Sequence, residues 1–240
     1  MKVIAIIPAR YDSTRFPGKL MKKLGKNSII WTTYQAALST QLFDNVIVAT
    51  DSEIIYNEIK NQGGEATMTR KDHQTGSDRI AEVIEHMDVD VIVNVQGDEP
   101  FITQKPLADL IDAFRKDLQQ EIAVASLMQK IKSHQDVINP NVVKVIVDKE
   151  HHAMYFSRSP IPYPRNTASG GHYFRHIGVY AFRKKALLDF SSQPMLPNEA
   201  TEMIEAIRYL EYGKKIKMVE SDYSGIGIDT PEDLARALEL

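Results

Sequence analysis

Residues 2–19, KVIAIIPARYDSTRFPGK, constrain the fold more than any other stretch. Val3, Ile4, Ala5, Ile6 and Ile7 form a short apolar run without polar alternation, the pattern of a strand buried on both faces of a parallel sheet. Pro8 ends the run, and Arg10, Arg15 and Lys19 follow on a loop with Ser13, Thr14 and Gly18, with Asp12 as its one carboxylate. Such a donor set suits a polyanion, because Arg grips phosphate oxygens bidentately and Lys acts as a point charge. Pro17-Gly18-Lys19 is not a Walker A loop, since it lacks the earlier glycine and the hydroxyl after the lysine, and no GxGxxG supports a dinucleotide site. A solvated basic loop is the alternative that spacing alone leaves open.

The rest of the first half repeats strand and helix patterns. Helices are expected over 28–39, from 51 or 52 to 60 and over 77–87, and strands at 45–50, 65–69 and 89–95. Short connections between them predict an α/β fold with a mostly parallel sheet, helices on both faces and right-handed crossovers. Ligands of such sheets sit beyond the carboxyl ends of the strands. Two loops reach that edge, Pro8 to Lys19 and Gln96 to Pro100.

After a helix from Thr103 and a strand at 122–127, residues 140–182 carry VVKVIV, AMYFS and HIGVYAF with no long helix between them, which predicts a small antiparallel lobe. Ser157 to Gly171 is a polar loop with three prolines, of a length that suits function or a dimer contact. A helix is expected over 198–212 and a strand over 215–220. Thr230, Pro231 and Asp233 form an N-cap, first-turn proline and capping-box pattern for a last helix. The chain is expected to be one domain with a small second lobe, since no linker separates independent domains.

Composition narrows the function classes. A net charge of −3 argues against a nucleic-acid binder, so the basic loop is a local feature. The absence of cysteine excludes disulfides and thiolate chemistry and fits a reducing cytoplasm. No apolar run reaches the ~20 residues of a membrane span, so a soluble chain without membrane insertion is expected. The seven histidines form neither HExxH nor a tight ligand set, and His151-His152 reads as a polar turn. Ser13 has no visible His and Asp partners for hydrolase chemistry. Asp98 follows a buried strand on the same edge as the basic loop and could ligate Mg²⁺ or merely shape a turn; Asp229 could equally be a ligand or a local cap.

Seven blocks, IPARYDSTRFPGK (7–19), HQTGSDRIAEV (73–83), VNVQGDEP (93–100), NPNVVKVIVD (139–148), YFSRSPIPY (155–163), RHIGVYAFR (175–183) and GIDTPEDL (227–234), closely resemble the 3-deoxy-D-manno-octulosonate (Kdo) cytidylyltransferases. They occur in order across nearly the whole chain. The resemblance implies a nucleotide-diphospho-sugar transferase-like, Rossmann-like fold with a CTP-binding part over about 1–130 and a sugar-binding and dimerisation lobe over about 131–225. It also implies a cytoplasmic homodimer, Mg²⁺ dependence, and transfer of CMP from CTP to Kdo with release of pyrophosphate for lipopolysaccharide synthesis.

Carried over to matching positions, Arg10, Lys19, Asp98 and Asp229 are the implied catalytic residues. Ala9, Arg10, Ser13, Arg15, Lys19, Gln74, Thr75, Gly76, Ser77 and Asp98 border the nucleotide. Asp98 and Asp229 hold the metal, and Arg79, Gln96, Arg158, His176, Tyr180 and Glu205 line the sugar pocket. Several positions depart from the family pattern: Leu20 replaces a common proline, and Glu205-Ala206-Ile207-Arg208 stands where Glu-Gln-Leu-Arg is common, so that Ala206 replaces a glutamine. Loss of that amide removes hydrogen-bonding groups beside the expected sugar pocket. Kdo is the expected acid sugar, with 8-amino-Kdo, a sialic acid, or CTP sensing without turnover as the alternatives.

Overall fold

The computed structural model describes residues 1–13, 16–73, 75–165, 172–223 and 227–239. Two compact units divide the chain, Met1–Ala108 with Ser224–Leu240, and Asp109–Tyr223.

In the first unit, β1 (Val3–Ala9) is the strand expected from the opening apolar run, and Ile4 to Ile7 are fully buried. A turn of 3₁₀ helix (Lys19–Met21) and the hairpin β2 (Lys23–Leu24) and β3 (Asn27–Ser28) lead into α1 (Ile29–Ser39). Ser28 caps α1 by accepting from the N–H of Trp31 at 3.3 Å. β4 (Asn45–Thr50), α2 (Glu53–Asn61), β5 (Ala66–Met68), α3 (Gly76–Ile84) and β6 (Val91–Asn94) follow. The chain leaves along α4 (Gln104–Lys116), whose Leu107, Leu110, Ile111 and Phe114 recur at helical spacing and are buried.

All the pairings in this unit's main sheet are parallel: β1 lies between β6 and β4, and β5 flanks β4. The chain therefore builds outward from β1 through β4 to β5, then crosses back through α3 to place β6 on the other side of β1. Strand order reverses at β1, and the loops after β1 and β6 leave adjacent parallel strands at the same sheet edge. A crevice forms at such a switch point. The basic loop and the Asp98 loop are the two that border it.

The second unit holds β7 (Ile122–Lys130), α5 (His134–Ile138), β8 (Lys144–Val147), β9 (Ala153–Ser157), β10 (Phe174–Arg183), α6 (Lys184–Ser192), α7 (Pro197–Glu202), α8 (Ala206–Glu211) and β11 (Lys215–Glu220). β10 runs antiparallel to β7 and β8, and β8 antiparallel to β9, which is the expected antiparallel lobe; β11 joins β7 in parallel. Phe156, Phe182 and Phe190 fill its core. Lys144 is fully buried, and its ammonium donates to the carbonyls of Asn139 at 2.9 Å, Val142 at 2.6 Å and Arg158. Burial lowers its pKa.

One expectation is corrected here. The single helix over 198–212 is two helices, α7 and α8, broken at Met203, which adopts a left-handed φ of 52°. The break follows from what holds the end of α7. The Glu202 carboxylate accepts from Ser157 Oγ at 2.6 Å and Arg158 N–H at 2.9 Å, while Arg158 donates to the carbonyls of Glu202 and Met203. Carbonyls that a continuing helix would bond internally are taken by the end of β9 instead. Across the break, Arg208 donates to both carboxylate oxygens of buried Glu199, at 2.6 and 2.7 Å, and lies over the Phe190 ring at 4.0 Å.

The chain returns to the first unit with α9 (Pro231–Ala237), capped as expected. Thr230 accepts from the N–H of Asp233, and the Asp233 carboxylate accepts from the N–H of Thr230. Among the described residues no helix is long and apolar enough to cross a membrane.

Candidate active site

The site lies in the first unit, where the loop after β1 meets the loop after β6. Gly18 starts the 3₁₀ turn at φ 64°, a left-handed conformation that glycine adopts without strain, and so aims Lys19 inward. On the facing loop, Gly97 is tightly enclosed: a Cβ would stand 3.2 Å from the Pro8 carbonyl oxygen and 3.2 Å from Ile30, so a side chain there would require its neighbours to give by a few tenths of an ångström. Buried Thr33 of α1 fixes that loop by donating to the Gly97 carbonyl at 2.9 Å. The two loops thus lie close together.

Lys19 Nζ donates to Asp98 Oδ2 at 2.5 Å and to Asp229 Oδ1 at 2.8 Å. Burial alone would lower the lysine's pKa, but the two carboxylates outweigh it and hold the pKa above the ordinary value. A backbone bond joins the carboxylate-bearing segments, from Ile228 N–H to the Asp98 carbonyl at 2.9 Å. Thr230 and Asp233 carry out the capping of α9, and Asp233 also accepts from the Asp229 N–H at 3.1 Å, so the Asp229 side chain is turned toward Lys19 rather than used as a cap.

Arg10, Ser13, Lys19, Gly76, Arg79, Gln96, Asp98 and Asp229 together border one pocket of about 400 Å³. Arg10 Nη2 donates to the His73 carbonyl at 2.6 Å. Gly76 brings the N-terminus of α3 to the pocket, and the capping box of Thr75 and Asp78 secures that end. Oriented N–H groups there favour an anion. Ala9 is buried at the end of β1, and Ser77 is buried in the first turn of α3. Arg15 and Gln74 lie outside the described residues.

Arg79 borders the pocket, yet its guanidinium is committed behind it. Nη2 bonds Asp51 at 2.8 Å, Nη1 bonds Thr69, and the side chain is 1% exposed. The remaining residues expected at the sugar pocket belong to the second unit. Arg158 donates to the carbonyls of Pro140, Glu202 and Met203. The His176 ring packs between Phe156 and Tyr180, with Nε2 2.9 Å from Ser126 Oγ, and burial pushes its pKa down to about 4. Burial, and then the charge of Glu205, raises the Tyr180 phenol.

Two carboxylates converging on one cationic point are a hard-oxygen donor set that fits a divalent ion of the Mg²⁺ type, which takes one or two carboxylates and completes its shell with water and phosphate oxygens. No group of three or more His, Cys, Asp or Glu side chains among the described residues would form an all-protein metal cage. His73, Glu82 and Asp51, which support Arg10 and Arg79, were not singled out from the sequence. They act through the tertiary contacts of loops with α3, for which no local spacing gives a signal.

Comparison with known proteins agrees with this geometry. The chain is 57% identical over 237 residues to the 3-deoxy-manno-octulosonate cytidylyltransferase of Flavobacterium johnsoniae, covering 99% of this chain and 97% of the relative. It is 56% identical over 239 residues to the enzyme of the same name from Christiangramia forsetii, covering 100% and 96%. A solved CMP:2-keto-3-deoxy-manno-octonic acid synthetase complexed with CTP superimposes with a TM-score of 0.94 at 38% identity, over 100% of this chain and 98% of that one. The 4-diphosphocytidyl-2C-methyl-D-erythritol synthase of Anaerococcus prevotii, at 18% identity, TM-score 0.65 and coverage of 99% and 97%, shares the fold. The cytidylyltransferase family profile matches residues 4–216, and with these relatives it shows that the chain belongs to the cytidylyltransferase family.

Proposed function

We propose that the protein activates Kdo with CTP, giving CMP-Kdo and pyrophosphate for lipopolysaccharide synthesis. One observation carries this reading: Lys19, Asp98 and Asp229, far apart in the chain, meet in the pocket that Arg10 and the N-terminus of α3 also border. Cationic donors for a triphosphate and carboxylates for its counter-ion are there together.

In the reaction the 2-hydroxyl oxygen of the sugar acid attacks the α-phosphorus in line. A new oxygen–phosphorus bond forms as the bond from the α-phosphorus to the bridging oxygen breaks; the pyrophosphate departs with that electron pair, and the hydroxyl proton passes to solvent. Arg10, Ser13 and Lys19 hold the phosphates, with Arg15, Gln74 and the segment Thr75 to Ser77 completing the nucleotide site. Charge grows on the leaving oxygens, so the fixed cations Arg10 and Lys19 stabilise the transition state more than the ground state. Asp98 and Asp229 would hold Mg²⁺, which when bound supplies Lewis-acid polarisation of phosphate and hydroxyl oxygens. Arg79 and Gln96, and in the second unit Arg158, His176, Tyr180 and Glu205, are assigned to the sugar acid; Arg79 serves it by holding the Asp51 and Thr69 side chains, and Arg158 by ordering the carbonyls it binds. The reading includes a homodimer in the cytoplasm.

Purified protein with CTP, Mg²⁺ and Kdo should release pyrophosphate; release no greater than that of Asp98→Ala would overturn the assignment. Ala206 is buried next to Glu205, where the family commonly has glutamine. Kdo, 8-amino-Kdo and a sialic acid competed at equal concentration would rank the acid sugars by kcat/KM.

A further inference from the structure

Arg10 sits on an exposed loop, yet its guanidinium is oriented by one main-chain oxygen, the carbonyl of His73, at 2.6 Å. The His73 ring is 5% exposed, and its Nε2 bonds the Glu82 carboxylate on the second turn of α3. The same carboxylate accepts from the Arg70 N–H, at 3.2 and 3.4 Å to its two oxygens. Burial alone would raise the Glu82 pKa, but the bonds from His73 and Arg70 outweigh it and lower it, so the group is an anion at neutral pH. On the other side of His73, the Thr75 and Asp78 capping box ties the chain to the start of α3.

The segment from Arg70 to Thr75 is thus anchored to one helix at two points, and the His73 carbonyl lies between them. We propose that Glu82 is a positioning residue for the triphosphate: it holds the buried ring of His73, and through it the carbonyl that aims Arg10 into the pocket. Glu82 itself does not border the pocket. Its contribution passes entirely through Arg10. The inference rests on the proposed reading of the site as one that binds CTP.

A double-mutant cycle on CTP affinity separates this role from a merely structural one, because a residue acting through another shows non-additivity. Calorimetry with the full chain, Mg²⁺ and CTP should find affinity weakened about tenfold by Glu82→Ala, and weakened less than about twofold when Glu82→Ala is added to Arg10→Ala. Glu82→Gln, which keeps an acceptor for the His73 N–H, should recover affinity to within about threefold of wild type. Equal losses in both backgrounds, or a Glu82→Ala that lowers the melting temperature but binds CTP as wild type does, would overturn the proposal. If Glu82→Ala does not fold, Glu82→Asp keeps the charge but withdraws it by one methylene, and it is judged by the same two criteria. A wild-type chain that fails to bind CTP would instead overturn the functional reading itself.

Discussion

Lys19 and Asp229, 210 positions apart, are joined by a 2.8 Å hydrogen bond, and the same ammonium reaches Asp98 at 2.5 Å. One side chain from the loop after the first strand therefore gathers two carboxylates that arrive from the middle and the end of the chain. A cation already occupies the point at which they converge.

Lys19→Ala should lower kcat about 100-fold while changing the KM for CTP less than about fivefold, since the lysine meets charge that grows as pyrophosphate leaves. Steady-state kinetics with varied CTP check this. An effect confined to KM would mean that Lys19 binds ground and transition states alike.

The same substitution takes away the cation that holds both carboxylates. Mn²⁺ should then bind more tightly in the absence of nucleotide than it does to wild type, as read by electron paramagnetic resonance of free Mn²⁺. Equal affinity would show that Lys19 does not compete with the ion.

Asp229→Asn and Thr230→Ala should separate chemistry from capping. The capping box does not use the Asp229 side chain, so Asp229→Asn should lower kcat about 100-fold and leave unfolding free energy within about 0.5 kcal/mol. Thr230→Ala removes the cap and should cost about 1 kcal/mol of stability. Denaturant titrations alongside the rates test both.

Glu199→Ala should destabilise the protein by about 3–5 kcal/mol. Glu199 is 2% and Arg208 7% exposed, and removal of the carboxylate leaves a buried guanidinium without that partner. The midpoint of urea unfolding should fall with the slope unchanged.

His176 should stay neutral down to about pH 4, as its ring proton shifts in an NMR titration would show. Because the unfolded chain takes up a proton near pH 6.5 and the folded one only near 4, protonation favours unfolding. The contribution of His176 to stability is complete above about pH 6.5 and is lost as pH falls toward 4. A titration midpoint near 6.5 in the folded protein would contradict the burial seen for this ring.

Elements with strong local patterns were legible from residues alone. The expected strands at 45–50 and 215–220 match β4 and β11, and the cap at Thr230 matches α9. The helix expected over 198–212 was not one helix, because the propensity of each residue there is outweighed by contacts of Glu202 and Arg158 that join residues 44 positions apart. The hairpin at 23–28 and the helix α6 carry too few patterned residues to stand out.

At the site, the sequence by itself determined the ingredients: a buried strand that must end at Pro8, a cationic loop after it, and acidic residues at two later turns, since chain stiffness and hydrophobic periodicity are local properties. Which of the ambiguous residues come together was decided only by tertiary structure. Asp98 and Asp229 were equally readable as turn and cap until the reversal of strand order at β1 and the bond from Ile228 to Asp98 brought both to Lys19. Arg79 borders the pocket, and only the fold shows that its guanidinium is held on Asp51 and Thr69. Hydrogen bonds and ion pairs are short-range in space and indifferent to separation along the chain, so the partner of a charged side chain is fixed only when the whole sheet is in place.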